Sequence, residues 1–129
     1  MAANGNGSLL RIRGVRGFLQ GEELLLKRGD EAVVGRSRSC DLSVRRSTRF
    51  LERADRSNVS ASEAWRTVSR QHVRIAYHRP DHIVIEDISA NGAFLDGDRI
   101  EGKVNISDLA SHPRVLALGS VERLKLELA

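Results

Sequence analysis

His72-Val73-Arg74-Ile75-Ala76-Tyr77-His78-Arg79-Pro80-Asp81-His82-Ile83-Val84-Ile85-Glu86 is the stretch that decides the fold. It holds two alternating runs, the pattern of half-buried strands, and Arg79-Pro80-Asp81 separates them as a hairpin turn does. The same grammar extends outward. Leu9-Leu10-Arg11-Ile12-Arg13 runs to Gly14, and Glu23-Leu24-Leu25-Leu26-Lys27 stops at Gly29-Asp30. Ala32-Val33-Val34 ends at Gly35, and Asp41-Leu42-Ser43-Val44 alternates. Phe94 to Ile100 reads as a tight hairpin around Asp96-Gly97, a strong turn dipeptide. Arg114 to Leu118 and Val121 to Leu128 close the chain. In the last run Leu124, Leu126 and Leu128 share one face, with Glu122 as its polar exception. Many short strands punctuated by Gly, Pro, Asn and Asp imply an all-β antiparallel sandwich or barrel.

One segment departs from this grammar. Residues 45–67 are rich in Arg, Ser and Ala and do not alternate. A connection of this length is uncommon in a compact domain and is usually functional or disordered. It reads as an insertion, part mobile and part docked. Ser60-Ala61-Ser62-Glu63 fits a capping box, which predicts a helical turn over Ala61 to Arg66. Phe50, Leu51, Ala54 and Trp65 are the residues expected to pin the segment to the body.

Composition bounds the rest. A chain of 129 residues suits one domain with one core. Aromatic residues are only 4% of it, so Val, Leu and Ile must fill that core. No apolar run approaches a membrane span. Residues 1–7 have neither a positive start nor an apolar centre, so they read as a flexible tail ahead of a domain at 8–129. A single cysteine, Cys40, rules out an internal disulfide, and a cytoplasmic location is the simplest inference. Cys40 itself reads as a small core or edge residue.

The formal charge of +4 is unevenly spread. From Arg36 to Arg70 there are nine arginines against four acids, a net of +5, so the remainder of the chain is slightly acidic. Such a field attracts anions, although a basic run taken on its own reads first as a solvated loop. Its two ends coincide with two turns that carry Arg36 and Ser69-Arg70. A third turn carries Asn91-Gly92. Taken singly, Arg36 and Arg70 are also surface arginines, Ser69 a turn serine bonded to its own backbone, and Asn91 a turn asparagine.

Taken in order, Gly35-Arg36, Cys40-Asp41-Leu42, Ser69-Arg70-Gln71-His72 and Asp87-Ile88-Ser89-Ala90-Asn91-Gly92-Ala93-Phe94-Leu95-Asp96-Gly97 resemble the forkhead-associated (FHA) domain, a phosphothreonine-binding module. The resemblance covers roughly Leu9 to Leu128 and is broken only by the insertion at 45–67. It implies a β-sandwich of two twisted sheets with about eleven short strands, whose loops at one end bind a peptide. Arg36 and Arg70 then contact the phosphate, because a guanidinium presents several donors in a rigid plane to its oxygens. Ser69 donates its hydroxyl, and the Asn91 amide bonds the peptide backbone beside the phosphothreonine. Gly35 and Gly92 supply backbone geometry. His72 is a buried imidazole that holds the two binding loops. Ala90 is a departure, since family members often carry a hydroxyl residue there; the two arginines are expected to compensate.

The resemblance implies a module with no cofactor and no metal, docking on a partner phosphorylated by a Ser/Thr kinase in signalling or assembly. The insertion's charge predicts a preference for acidic flanks. Thr48, in Arg45-Arg46-Ser47-Thr48-Arg49, is a candidate for phosphorylation and capture by a neighbouring copy. An enzyme is disfavoured: no phosphate-binding Gly-rich loop, nucleophile elbow or paired-histidine helix occurs, and His78, His82 and His112 lack metal-ligand spacing. Two other readings stand beside it. One is a scaffold of the same fold that binds its partner without phosphate. The other is a basic nucleic-acid-binding module, weakened by the few aromatics available to stack on bases. No membrane contact is expected.

Overall fold

The computed structural model describes residues 8–55 and 64–129, side chains at 53–55 and 64–65 excepted. Eleven strands follow in order. They are β1 (Leu10–Arg16), β2 (Glu23–Leu26), β3 (Glu31–Gly35), β4 (Leu42–Ser43), β5 (Val73–Arg79) and β6 (His82–Asp87), then β7 (Ala93–Leu95), β8 (Asp98–Arg99), β9 (Lys103–Ile106), β10 (Arg114–Leu118) and β11 (Glu122–Leu128). One α-helix, α1 (Thr48–Asp55), lies between β4 and β5, with short 3-10 turns at Val44–Arg46 and Ala64–Thr67.

The strands sort into two sheets, a six-stranded one in the order β2-β1-β11-β10-β7-β8 and a five-stranded one in the order β4-β3-β5-β6-β9. This is a sandwich, and the barrel alternative falls away. All strand-to-strand pairings are antiparallel except β3 with β4, which run parallel through Val34–Leu42 and Gly35–Ser43. Asp41 explains that exception. Its carboxylate accepts the Val33 N–H at 2.8 Å and its own N–H reaches Val33 O at 2.9 Å, so the loop after β3 is folded back along the strand it left.

The β5–β6 hairpin behaves as its alternation dictates. Ile75 faces Ile85 and Tyr77 faces Ile83, all four fully buried. On the outer face Arg74 lies opposite Glu86 and pairs with it at 2.9 Å. Cross-strand pairs of this kind are the unit of sheet stability. The turn is Pro80-Asp81, buttressed by Arg79 Nε on Asp81 at 2.8 Å. The second hairpin forms between β7 and β8, where Asp96 (φ 50°) and Gly97 (φ 91°) both take left-handed backbone. That is the type I′ requirement that makes Asp-Gly a hairpin signal. Aliphatic side chains from both sheets, among them Leu10, Ile12, Val34, Ile75, Ile85, Leu116 and Leu124, fill the core.

The structure departs from or adds to the sequence pattern at four places. First, β1 does not stop at Gly14 but continues to Arg16, with a register shift between the two. Gly14 is there because a Cβ would fall 1.7 Å from Leu19 O, where the chain crosses back over the strand. Second, β9 forms over Lys103–Ile106, a segment too short and polar to stand out. Third, the helix of the insertion begins at Thr48. Ser47 is buried and its Oγ accepts the Phe50 N–H at 3.3 Å, as an N-cap does. The capping box at 60–63 lies outside the described residues. So does the tail at 1–7, and of the predicted turn over 61–66 the described part, residues 64–66, lies within the Ala64–Thr67 3-10 turn. Fourth, Phe50 does pin the segment, packing edge-on against Phe18 at 5.5 Å, whereas Leu51 is 45% exposed. The side chains of Ala54 and Trp65 lie outside the described residues.

Glu122 proves less exceptional than its alternation suggested. It is buried on the inner face, and its carboxylate accepts the N–H groups of Phe18 and Leu19, each at 2.9 Å. No helix of the described residues is long and apolar enough to cross a membrane.

Candidate functional site

β3 ends at Gly35, and the reason for glycine is proximity. A Cβ there would lie 2.4 Å from Arg70 O, a backbone atom that cannot swing aside. Without it, two loops meet edge to edge. Arg36 N–H donates to Ser69 O at 2.9 Å and Ser37 N–H to Arg70 O at 3.0 Å, while His72 N–H reaches Val34 O at 2.9 Å. Cys40 is buried and adds its S–H to Arg70 O at 3.0 Å. Burial pushes that thiol's pKa up, so it acts as a small packed donor and not a reactive thiolate.

The third segment folds on itself before it joins the others. Asp87 accepts the Ser89 N–H at 2.9 Å, and Ser89 Oγ accepts the Gly92 N–H at 2.8 Å. Gly92 sits at φ 97°, backbone that favours glycine. Two side chains then tie this turn to the 67–72 loop. Ser69 Oγ accepts the Ala90 N–H at 2.9 Å, and Asn91 Nδ2 donates to Thr67 O at 3.0 Å.

His72 is the rivet between them. Its Nδ1 accepts the Ser69 N–H at 3.0 Å and its Nε2 lies 2.8 Å from Gly92 O. A nitrogen that accepts an N–H carries no proton, so the ring is neutral with its hydrogen on Nε2. Burial holds its pKa below the usual imidazole value, although the Gly92 carbonyl and the Asp87 charge pull the other way.

The structure therefore brings Arg36, Ser69, Arg70 and Asn91 to one end of the sandwich, on three segments bonded to one another. Arg36 and Ser69 are half-buried, and Arg70 and Asn91 are exposed. An open cavity of about 250 Å³ is lined by Arg36, Ser37, Arg45 and Arg70. Neither Ser69 nor Asn91 lines it; they stand beside it. Among the described residues, both keep unspent capacity. A hydroxyl that accepts one bond still has its own proton to donate, and an amide using one N–H retains the other and its oxygen.

Arg45 and Ser37 are the residues missed from sequence. Arg45 comes from the first turn of the insertion, its N–H 3.4 Å from Arg36 O. Among the described residues, no carboxylate forms an ion pair with Arg45 or Arg70. Not every arginine of the basic run serves this cavity. Arg46, though exposed, bends back onto the 36–41 loop and braces it, donating to the carbonyls of Arg38 at 2.9 Å, Asp41 at 3.3 Å and also Cys40. Three arginines around one open cavity create a positive field, and guanidinium donors suit the oxygens of an anion. Among the described residues, no cluster of three or more His, Cys, Asp or Glu could hold a metal ion.

A two-sheet sandwich with basic, mutually bonded loops at one end defines the class as a loop-presenting recognition domain. Residues 32–111 match the model of the FHA domain, and the chain belongs to that family. An FHA domain of a Chlamydia trachomatis protein superposes with a TM-score of 0.65 at 24% identity, covering 94% of this chain and 99% of that one. Mycobacterium tuberculosis EmbR, solved in complex with a low-affinity phosphopeptide, superposes with a TM-score of 0.61 at 18% identity, covering 92% of this chain and 24% of that one. Among curated proteins, small ribosomal subunit protein bS1 from Synechococcus is 30% identical over 115 residues. That alignment takes in 88% of this chain and 34% of the relative, so the chain spans about a third of the relative's length.

Proposed function

We propose that this chain is a phosphothreonine-dependent interaction module that docks on a partner phosphorylated by a Ser/Thr kinase, in signalling or assembly. One observation carries the reading: Arg36, Arg45 and Arg70 surround a single open cavity, with Ser69 and Asn91 fixed beside it by backbone bonds. A phosphothreonine carries close to two negative charges at neutral pH. The three guanidiniums take the phosphate, and the Ser69 hydroxyl donates to one of its oxygens. Asn91, held by Thr67, presents its free amide edge to the N–H and C=O groups of an extended peptide. Because the loops are already bonded to one another, little ordering remains to be done on binding, and more of the contact energy appears as affinity. The module binds and releases; no bond is made or broken. The phosphopeptide held by EmbR supports the same ligand class.

The test is a phosphothreonine peptide library with unphosphorylated and phosphoserine controls. Charge-assisted hydrogen bonds contribute roughly 1.5–3 kcal/mol each. Arg36→Ala should therefore weaken the best peptide at least about tenfold in a calorimetric titration. Unchanged affinity for Arg36→Ala removes the site.

A second reading, docking on nucleic acid, draws on the ribosomal relative and on the net charge of +5 between Arg36 and Arg70. It predicts binding that needs no phosphothreonine and falls steeply with salt.

A further inference from the structure

The short β7–β8 hairpin carries a guanidinium that the cavity does not use. Arg99 lies opposite Phe94 in that hairpin. Its Cζ and Nη2 atoms come within 3.3 Å, and Nε within 3.5 Å, of where a Cβ on Gly92 would be. The guanidinium thus lies across the backbone of Gly92, on the turn that presents Asn91. Both Arg99 and Asn91 are exposed.

Among the described residues no acid pairs with Arg99, and two neighbouring carboxylates, Asp87 and Asp96, have other partners. Asp87 is taken up by Ser89. Asp96 accepts the Val115 N–H at 2.8 Å and also pairs with Arg114. Asp98 precedes Arg99 on the strand, so its side chain leaves on the opposite face. Among the described residues, no hydrogen bond or ion pair occupies the Arg99 guanidinium. Both carbonyl and amide of Gly92 are also engaged, with His72 and Ser89. What the turn offers to a ligand passing over it is the Asn91 amide followed by a bare positive charge.

We propose that Arg99 is a specificity-determining residue that reads an acidic side chain of the bound phosphopeptide, at a subsite distinct from the phosphate cavity. The inference rests on the phosphothreonine reading above. An extended peptide advances about 3.3 Å per residue. A chain anchored in the arginine cavity and bonded to Asn91 crosses Gly92 within a few residues of the phosphothreonine. An Asp or Glu at that place meets the guanidinium as two parallel N–H···O bonds, the geometry arginine favours.

The experiment is a fluorescence-anisotropy titration of two phosphothreonine peptides, one flanked by Asp and one by Ala, against the wild type, Arg99→Gln and Arg45→Gln. The wild type should prefer the Asp-flanked peptide about fivefold, the size of a well-formed exposed ion pair. Arg99→Gln should erase that preference while the Ala-flanked affinity holds. Arg45→Gln should weaken both peptides together. Scanning single Asp residues along the Ala-flanked peptide should localise the gain to one or two positions, and Arg99→Gln should remove it there. Equal binding of the two peptides by the wild type overturns the subsite but leaves the phosphate site standing. So does an Asp preference that survives Arg99→Gln. Failure of the wild type to bind either peptide overturns the phosphothreonine reading, and the subsite with it.

Discussion

Two loop regions of this sandwich are each held by one buried ionisable side chain, and they solve that problem in opposite ways. At the candidate site, His72 joins the 69 and 92 backbones with one nitrogen accepting and the other donating. On the β1 side, Glu122 gathers the N–H groups of Phe18 and Leu19 with both carboxylate oxygens. Burial drives both toward the neutral form, which lowers the imidazole pKa and raises the carboxyl pKa. For His72 the neutral form is the one its partners require. For Glu122 it is not, since two donors call for two acceptors. The candidate site is thus fastened by the group whose solvation and bonding agree.

Removing each fastener separates the two cases. His72→Ala leaves the Ser69 N–H and Gly92 O buried without partners and opens a ring-sized void. It should cost about 3–5 kcal/mol in urea denaturation and uncouple the loops. A loss below about 1 kcal/mol would mean water replaces the ring at no cost and that the rivet is dispensable. Glu122→Gln keeps the shape but trades one acceptor for an NH2 facing a backbone donor. About 2 kcal/mol should be lost, with phosphopeptide affinity unaltered because the 17–20 loop does not touch the cavity.

Acid titration sharpens the contrast most finely. His72 has a depressed folded pKa, so the unfolded chain takes the proton first. Its share of stability is whole above about pH 6.5 and drains as pH falls below that, with a slope of at most about 1.4 kcal/mol per pH unit. Glu122 has a raised folded pKa, so the unfolded chain loses its proton first. Its share declines as pH rises through the window just above the ordinary carboxyl value near 4.5. Urea midpoints measured from pH 4.5 to 7.5 should show the His72 slope in the wild type and lose it in His72→Asn. A slope that survives that substitution belongs to another group.

Most of the sandwich was legible because its signals are local. Alternation placed the β5–β6 pair, and Asp96-Gly97 named its own turn type through two left-handed residues in a row. The helix at Thr48–Asp55 was not read, because Ser47 is followed at the third position by Phe50 and not by the Glu or Gln of a capping box. The Ser60–Glu63 tetrad has that pattern and drew the helical reading instead. The site divides in the same way. Arg36, Ser69, Arg70 and Asn91 lie in turns whose spacing marks them. Arg45 is one of nine arginines in a run without periodicity. Its arrival at the cavity depends on β4 pairing parallel to β3, a contact fixed by Asp41 folding back on Val33. Glu122 needed partners more than a hundred positions away, at Phe18 and Leu19.

Cys40 carries the chain's single thiol, and its hydrogen is committed to Arg70 O between two of the recognition segments. A maleimide can reach that sulfur only after those segments part. The rate of labelling therefore clocks their opening, on the native protein and without any introduced probe. A ligand that bridges Arg36 and Arg70 slows the clock, so occupancy can be followed by mass spectrometry, one adduct per molecule.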